Sequence, residues 1–218
     1  MYSLYLYFLG LSVRNTSKAL EPFKDQNRSH VAVWERIQRF GSSHIYNKHK
    51  RVSAFIIDET IIQIGGQHFC LWICIEPIHR SVIGIYILEE INMFVAEKFI
   101  RSLVSRYVRH IVYTDGGTWY PQACNFLNPK HRLHSPLEKS LIERVMQHFK
   151  DSTECFDDYY PSTNNSIKCD LSHVYNWIKL FIYLYNTKIR KTIIFNIGGE
   201  IVLTAPFTMK FQKVGGRK

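Results

Sequence analysis

The feature that most constrains this fold is a change of periodicity at residues 48–51. Before it, apolar residues recur at helical spacing. After it, β-branched and aromatic residues come in short runs separated by turn residues. Val52–Ile57 ends at Asp58, Thr60–Ile64 continues to Gly65-Gly66, Phe69–Ile75 returns, and Ser81–Leu88 forms a third strand. Two glycines between apolar runs are a hairpin signal. An amphipathic helix then spans 92–109, followed by a strand at Ile111–Thr114 and a short helix at Thr118–Phe126. A strand at His131–His134 and an amphipathic helix at Leu137–Lys150 complete the series. Three strands followed by strands alternating with helices predict a mixed α/β sheet with helices on its faces.

Residues 1–47 read as a helical unit. Tyr2–Leu9 is followed by Val13–Leu20, with Ser12 as N-cap, and by His30–Phe40, with Ser29 as N-cap. Val33, Trp34, Ile37 and Phe40 make one face of the third helix, while Arg36, Gln38 and Arg39 make the other, and Gly41 ends it. Three short helices, the last of them basic, are the plan of a helix-turn-helix DNA-binding unit. The start, MYSLYLYFLGL, has no basic n-region and no small-residue cleavage site, so it reads as a helix and not as a signal peptide. No stretch is long and apolar enough to cross a bilayer.

At the other end, ECFDDYYPSTNN reads as a loop and Leu171–Tyr185 as a helix. Residues 191–218 admit two readings. Ile193–Ile197 and Glu200–Leu203 make either a hairpin around Gly198-Gly199 or a basic tail on a helix. The domain plan is therefore 1–47, 48–190 and 191–218.

Charge is unevenly placed. Residues 1–51 carry nine basic and three acidic side chains, residues 52–185 twelve and fourteen, and residues 186–218 seven and one. Two basic ends around a slightly acidic middle favour a polyanionic partner, nucleic acid first. The five cysteines are scattered and contain no CxxC, which fits a reducing compartment and excludes a zinc ribbon.

Three carboxylates stand where such a fold brings chain positions together. Asp58 ends the first strand, Asp115 ends the fourth, and Glu143 lies on the helix after the fifth. Clustered carboxylate oxygens suit hard divalent cations. Gly116-Gly117 would let backbone approach a ligand closely. Trp119 and Tyr120 are placed to stack on a base, or to pack under the sheet edge. His131, Arg132 and His134 lie nearby, and Lys139, Arg144 and Lys150 share the helix of Glu143 as candidate phosphate contacts. No Walker A, GxGxxG or GxSxG motif is present, which disfavours nucleotide motors, dehydrogenases and serine hydrolases.

The segments FIIDET, VYTDGGTWY and SPLEKSLIERVMQHFK resemble the three acidic motifs of DDE transposases of the IS6 type from archaea and bacteria. The resemblance covers about residues 1–190. It implies a ribonuclease H-like (integrase-type) catalytic domain with Asp58, Asp115 and Glu143 as catalytic, metal-binding acids. Mg²⁺ or Mn²⁺, two ions, would be the cofactor. The implied activity is cleavage and strand transfer of DNA at an insertion sequence's ends. Double-stranded DNA, both terminal inverted repeats and target, would be the partner of a homodimer in the prokaryotic cytoplasm.

Lys150, seven residues after Glu143, fits the family's E…K pairing. Glu138 competes with Glu143 for the third acid. DNA contacts are expected from His30, Arg36, Arg39, Lys48, Lys50, Arg51, Trp119, Lys139, Arg144 and Lys150. The pattern departs from the family in three places: 27 residues separate Asp115 from Glu143, fewer than is usual; the start falls inside the first helix, without the longer extension some relatives carry; and the end beyond Arg190 does not follow the pattern. The alternative is a catalytically silent or truncated copy that only binds DNA.

Overall fold

The computed structural model describes residues 2–8, 11–23, 29–42, 52–64, 67–158 and 171–197. Lys48, Lys50, Arg51, the Gly65-Gly66 turn and the segment Glu200–Leu203 lie outside the described residues. Three helices come first: α1 (Tyr2–Phe8), α2 (Val13–Leu20) and α3 (His30–Ser42). The sheet comprises β1 (Ala54–Ile64), β2 (Gln67–Glu76), β3 (Ser81–Leu88), β4 (Ile111–Thr114) and β5 (His131–Leu133). Four helices accompany it: α4 (Met93–Tyr107), α5 (Trp119–Leu127), α6 (Pro136–Asp158) and α7 (Leu171–Ile197).

The strand order is β3-β2-β1-β4-β5. β1 pairs antiparallel with β2 and β2 with β3, whereas β4 runs parallel to both β1 and β5. An antiparallel hairpin unit extended by parallel strands is the ribonuclease H-like fold. Strand alternation divides the apolar residues between two cores. Ile56, Leu71, Ile73 and Ile85 pack with Ile142, Val145 and Phe149 of α6 and with Trp177 and Phe181 of α7. Phe55, Ile57, Trp72 and Ile83 pack on the other face with Phe99 and Ile100 of α4 and Tyr120 and Cys124 of α5.

Two local expectations change, and one open alternative is decided. Asp58 does not end a strand: β1 runs unbroken through it, because β2 pairs with it continuously from Ile56 to Ile64. Of the segment 154–165 read as a loop, 154–158 is helical and belongs to α6, since nothing there breaks it, and 159–165 lies outside the described residues. Of the two readings for the C-terminal stretch, the helical one holds as far as it is described: Ile193–Ile197 is the end of α7. Its β-branched run follows an uninterrupted helix that contains neither Gly nor Pro, and Gly198 comes only after it.

The first helices follow their caps. Ser12 Oγ accepts the Asn15 N–H at 3.1 Å, and Ser29 Oγ accepts the Ala32 N–H at 3.2 Å. Val33 and Ile37, both fully buried, join Leu4 in the core that contains Trp177 and Phe181. Gln38 Nε2 donates to the His173 carbonyl at 3.5 Å, and Trp34 meets the His173 ring edge-on. The face of α3 carrying Val33, Ile37 and Gln38 therefore rests on α7, while His30, Val31, Glu35 and Arg39 are exposed.

Candidate active site

Parallel pairing of β1 with β4 runs Ala54↔Ile111, Phe55↔Val112, Ile56↔Tyr113. The pairing stops there, two residues short of Asp58 on β1 and of Asp115 just past β4, so both aspartates lie beyond the same end of the ladder. Asp58 belongs to the Ile56 side of the sheet, the side covered by α6. On α6, Ser140, Glu143, Gln147 and Lys150 follow one another at helical spacing. With Arg144 they line a cleft of about 490 Å³ against Asp58, Glu59 and Thr60. The cleft thus joins Asp58, Glu143, Arg144 and Lys150.

Electrostatics adds the third acid. Burial pushes the Asp58 carboxyl above the usual range, and the negative charges of Asp115 and Glu143 push it further. The Glu59 N–H bond and His134 pull it down. Both aspartates are oriented by backbone donors. The Glu59 N–H bonds Asp58 Oδ1 at 2.9 Å, and the Gly117 N–H bonds Asp115 Oδ1 at 3.0 Å.

Glu138 is occupied elsewhere. Its carboxylate accepts from the Ser135 N–H at 2.9 Å and from the Ser135 hydroxyl. This pairing of Ser135 with the acid three residues on is part of a capping box, and it turns Glu138 back toward the start of α6 and away from the sheet. Ser-Pro-Leu-Glu was a readable signal for it in the sequence. Glu143, by contrast, lines the cleft and lies 3.9 Å from Lys139 Nζ in an exposed ion pair. Among the described residues, no three acidic, His or Cys side chains converge on one point that could hold a metal ion as they stand. The donor set nevertheless fits a hard cation: it is all carboxylate, and its like charges already oppose one another around a half-buried Asp58.

The glycine pair has internal roles. Gly116 sits at φ +99°, a conformation that suits glycine, and a Cβ there would come within 3.0 Å of Leu133. A Cβ on Gly117 would come within 2.7 Å of the Trp119 ring. Trp119 is accordingly half-buried against Gly117 and Tyr120. Tyr120 is fully buried, with its ring edge toward Trp72 and its face toward His131. Lys139 is exposed but is not among the cleft residues. Arg36, expected to face DNA, donates to Ser3 Oγ at 3.3 Å.

One acid was missed by sequence reasoning. Glu59 follows Asp58 and turns to the opposite face of the sheet, where Tyr120 Oη donates to its carboxylate. Burial, then the charges of Asp115 and Asp58, push Glu59 up to about 7 against the pull of that bond.

The fold and cleft together define a ribonuclease H-like domain with an acidic centre. The family model for the DDE domain DDE_Tnp_IS240 matches residues 52–175, more than half the chain, and the chain belongs to this family of DDE transposase domains. A relative from Methanocaldococcus jannaschii, "Uncharacterized protein MJ0017", is 28% identical over 182 residues, covering 83% of this chain and 82% of its own. Among solved structures, the catalytic core domain of BIV integrase is similar at TM-score 0.46 and 14% identity, over 66% of this chain and 99% of its own. The HTLV-2 integrase catalytic core domain in complex with magnesium (trimeric form) is similar at TM-score 0.42 and 14% identity, over 57% and 82%. No helix among the described residues is long and apolar enough to cross a membrane.

Proposed function

We propose that this chain is an active transposase that cuts DNA at the ends of an insertion sequence and joins the freed 3′ ends to target DNA. The observation that supports this best is the cleft in which Asp58 faces Glu143 with Arg144 and Lys150 alongside, while the charge of Asp115 also acts on Asp58. Asp58, Asp115 and Glu143 offer oxygen donors for Mg²⁺ or Mn²⁺. When bound, two such ions supply activation of the attacking oxygen and stabilisation of the leaving oxygen in an in-line displacement.

The remaining roles fall to side chains of the chain itself. Arg144 and Lys150, at the cleft wall, offset the charge of a phosphodiester drawn toward three carboxylates. Gln147, between them on the same face, can donate to a phosphate oxygen. Residues 1–47 read the element end, with Arg39 on the exposed face of α3 and His30 exposed in its first turn. Two ends must be held together, which calls for a homodimer, and the prokaryotic cytoplasm is where its DNA lies.

The test is a cleavage and strand-transfer assay in Mn²⁺ on duplexes carrying the inverted repeats that flank the gene. Asp58→Asn, Asp115→Asn and Glu143→Gln should each abolish cleavage and leave DNA binding in place, and Glu138→Gln should retain cleavage. If Glu138→Gln abolished cleavage and Glu143→Gln did not, the third acid is misassigned. Tight binding without any cleavage by the wild type would instead establish a silent DNA-binding copy.

A further inference from the structure

The two aspartates are linked through the reverse side of the sheet. Asp58 Oδ1 accepts from the backbone N–H of Glu59 at 2.9 Å, and the Glu59 carboxylate accepts from Tyr120 Oη. The Tyr120 N–H donates to the Gly117 carbonyl at 3.1 Å, and the Gly117 N–H donates to Asp115 Oδ1 at 3.0 Å. One covalent and hydrogen-bonded path therefore runs from one aspartate to the other through Glu59 and Tyr120. Asp58 and Glu59 line the cleft, whereas Gly117 and Tyr120 lie outside it.

The backbone ladder does not reach the aspartates. Pairing of β1 with β4 ends at Ile56↔Tyr113, two residues before each acid. Past the end of a ladder, parallel strands are free to splay unless side chains tie them. Tyr120 provides that tie. Its ring is fully buried, 5.6 Å from the Trp72 ring and 6.5 Å from the His131 ring. The His131 Nε2 is in turn 2.8 Å from Thr114 Oγ1, beside Asp115. A ring held on both sides gives its hydroxyl one position, and that position fixes Glu59. An apolar residue at 59 would pack here without burying a like charge beside Asp58, but it would leave the Tyr120 hydroxyl bare, which costs stability.

We infer that Glu59 and Tyr120 are positioning residues that set the separation and orientation of Asp58 and Asp115 for metal binding. The inference rests on the transposase reading above. It assigns neither residue a contact with DNA or metal. Removing such a supporting bond elsewhere lowers metal affinity or activity by about 10- to 100-fold.

The experiment uses the full chain with Tyr120→Phe, Glu59→Gln, Glu59→Ala and the Tyr120→Phe/Glu59→Ala double variant. Three quantities are measured: Mn²⁺ affinity by titration, single-turnover cleavage against DNA affinity, and amide hydrogen exchange at Glu59 and Gly117. Tyr120→Phe should lower Mn²⁺ affinity and cleavage rate by about 10-fold or more while DNA affinity stays put. It should also speed exchange at both amides. Glu59→Gln keeps an acceptor for Tyr120 Oη and should rescue most of the loss seen in Glu59→Ala. The double variant should be no worse than Glu59→Ala alone, because both remove one bond. Wild-type Mn²⁺ affinity and exchange in Tyr120→Phe would overturn the inference, as would a Glu59→Gln variant as impaired as Glu59→Ala. If the wild type binds no Mn²⁺, the transposase reading falls by itself. Faster exchange at Glu59 and Gly117 in Tyr120→Phe would still uphold the tie, and unchanged exchange would remove it too.

Discussion

Asn186 on α7 binds both backbone groups of Val82 on the edge strand β3. Its Oδ1 accepts the Val82 N–H at 2.9 Å and its Nδ2 donates to the Val82 carbonyl at 2.8 Å. A side-chain amide thus takes the place of a missing neighbouring strand. Edge strands present unpaired backbone groups that invite association, and a buried amide closes this one where β3 is covered by α7.

Asn186→Ala should therefore destabilise the fold by about 1–3 kcal/mol for each backbone group left bare in the interior. Urea denaturation should show a lower midpoint with an unchanged slope. A shift within error of the wild type would mean that water reaches Val82 and takes over both bonds.

Gly84 faces α4, and a Cβ there would lie 2.6 Å from Leu103 Cδ2 and 3.4 Å from Phe99 Cε2. Both partners are buried core residues. Gly84→Ala should cost about 1–3 kcal/mol through overpacking. Shortening the opposing side chain in Gly84→Ala/Leu103→Val should recover part of that loss. A purely additive double variant would show that the clash is relieved elsewhere.

Acid stability should depend on Glu76. Its side chain is buried, which alone would raise the carboxyl. Bonds from Ser53, from the His79 N–H and ring, and from the Ile78 N–H outweigh burial and hold it below its ordinary value of 4.5. The group therefore contributes stability above about pH 4.5 that is lost as pH falls through its lower folded value. The stability difference between wild type and Glu76→Gln should be largest near neutral pH and shrink below 4.5. A difference that is flat with pH would mean that the carboxylate charge is not what those donors need.

The strand-and-helix order was legible because β1 to β3 and α4 carry clear periodicities, and Asp58, Asp115 and Glu143 fall at places such a fold brings together. Other features were hidden for identifiable reasons. Asp58 looked like a strand end because an acid is a poor strand former, but nine consecutive pairs with β2 carry β1 past it. The end of α7 stayed open between strand and helix because its β-branched residues favour a strand, and helix continuity overrode their preference. Glu59 was missed because its role depends on Tyr120, 61 residues away, whose hydroxyl meets it only in the folded chain. The loss of Arg36 to Ser3 was equally unreadable, since α1 must first dock on α3.

That last contact divides the two arginines of α3. The Arg36 guanidinium is half-buried and bonds Ser3 of α1, so it fastens the helical unit. Arg39 is 83% exposed, with Glu35 3.9 Å away, and stands on the outward face of α3 with Val31 and Glu35. Arg39→Ala should weaken DNA binding without changing the melting temperature. Arg36→Ala should lower the melting temperature and change DNA affinity much less. On the proposed reading, the net +6 of residues 1–51 predicts a steep fall of DNA affinity with salt. Binding of both variants to terminal-repeat and random duplexes across a salt series separates the roles of Arg39. A base-reading Arg39 should cost about 1–3 kcal/mol on the terminal repeat alone, whereas a phosphate contact should weaken both duplexes and reduce the salt slope by about 1. If Arg39→Ala bound both duplexes like the wild type, α3 would not be the helix that meets DNA.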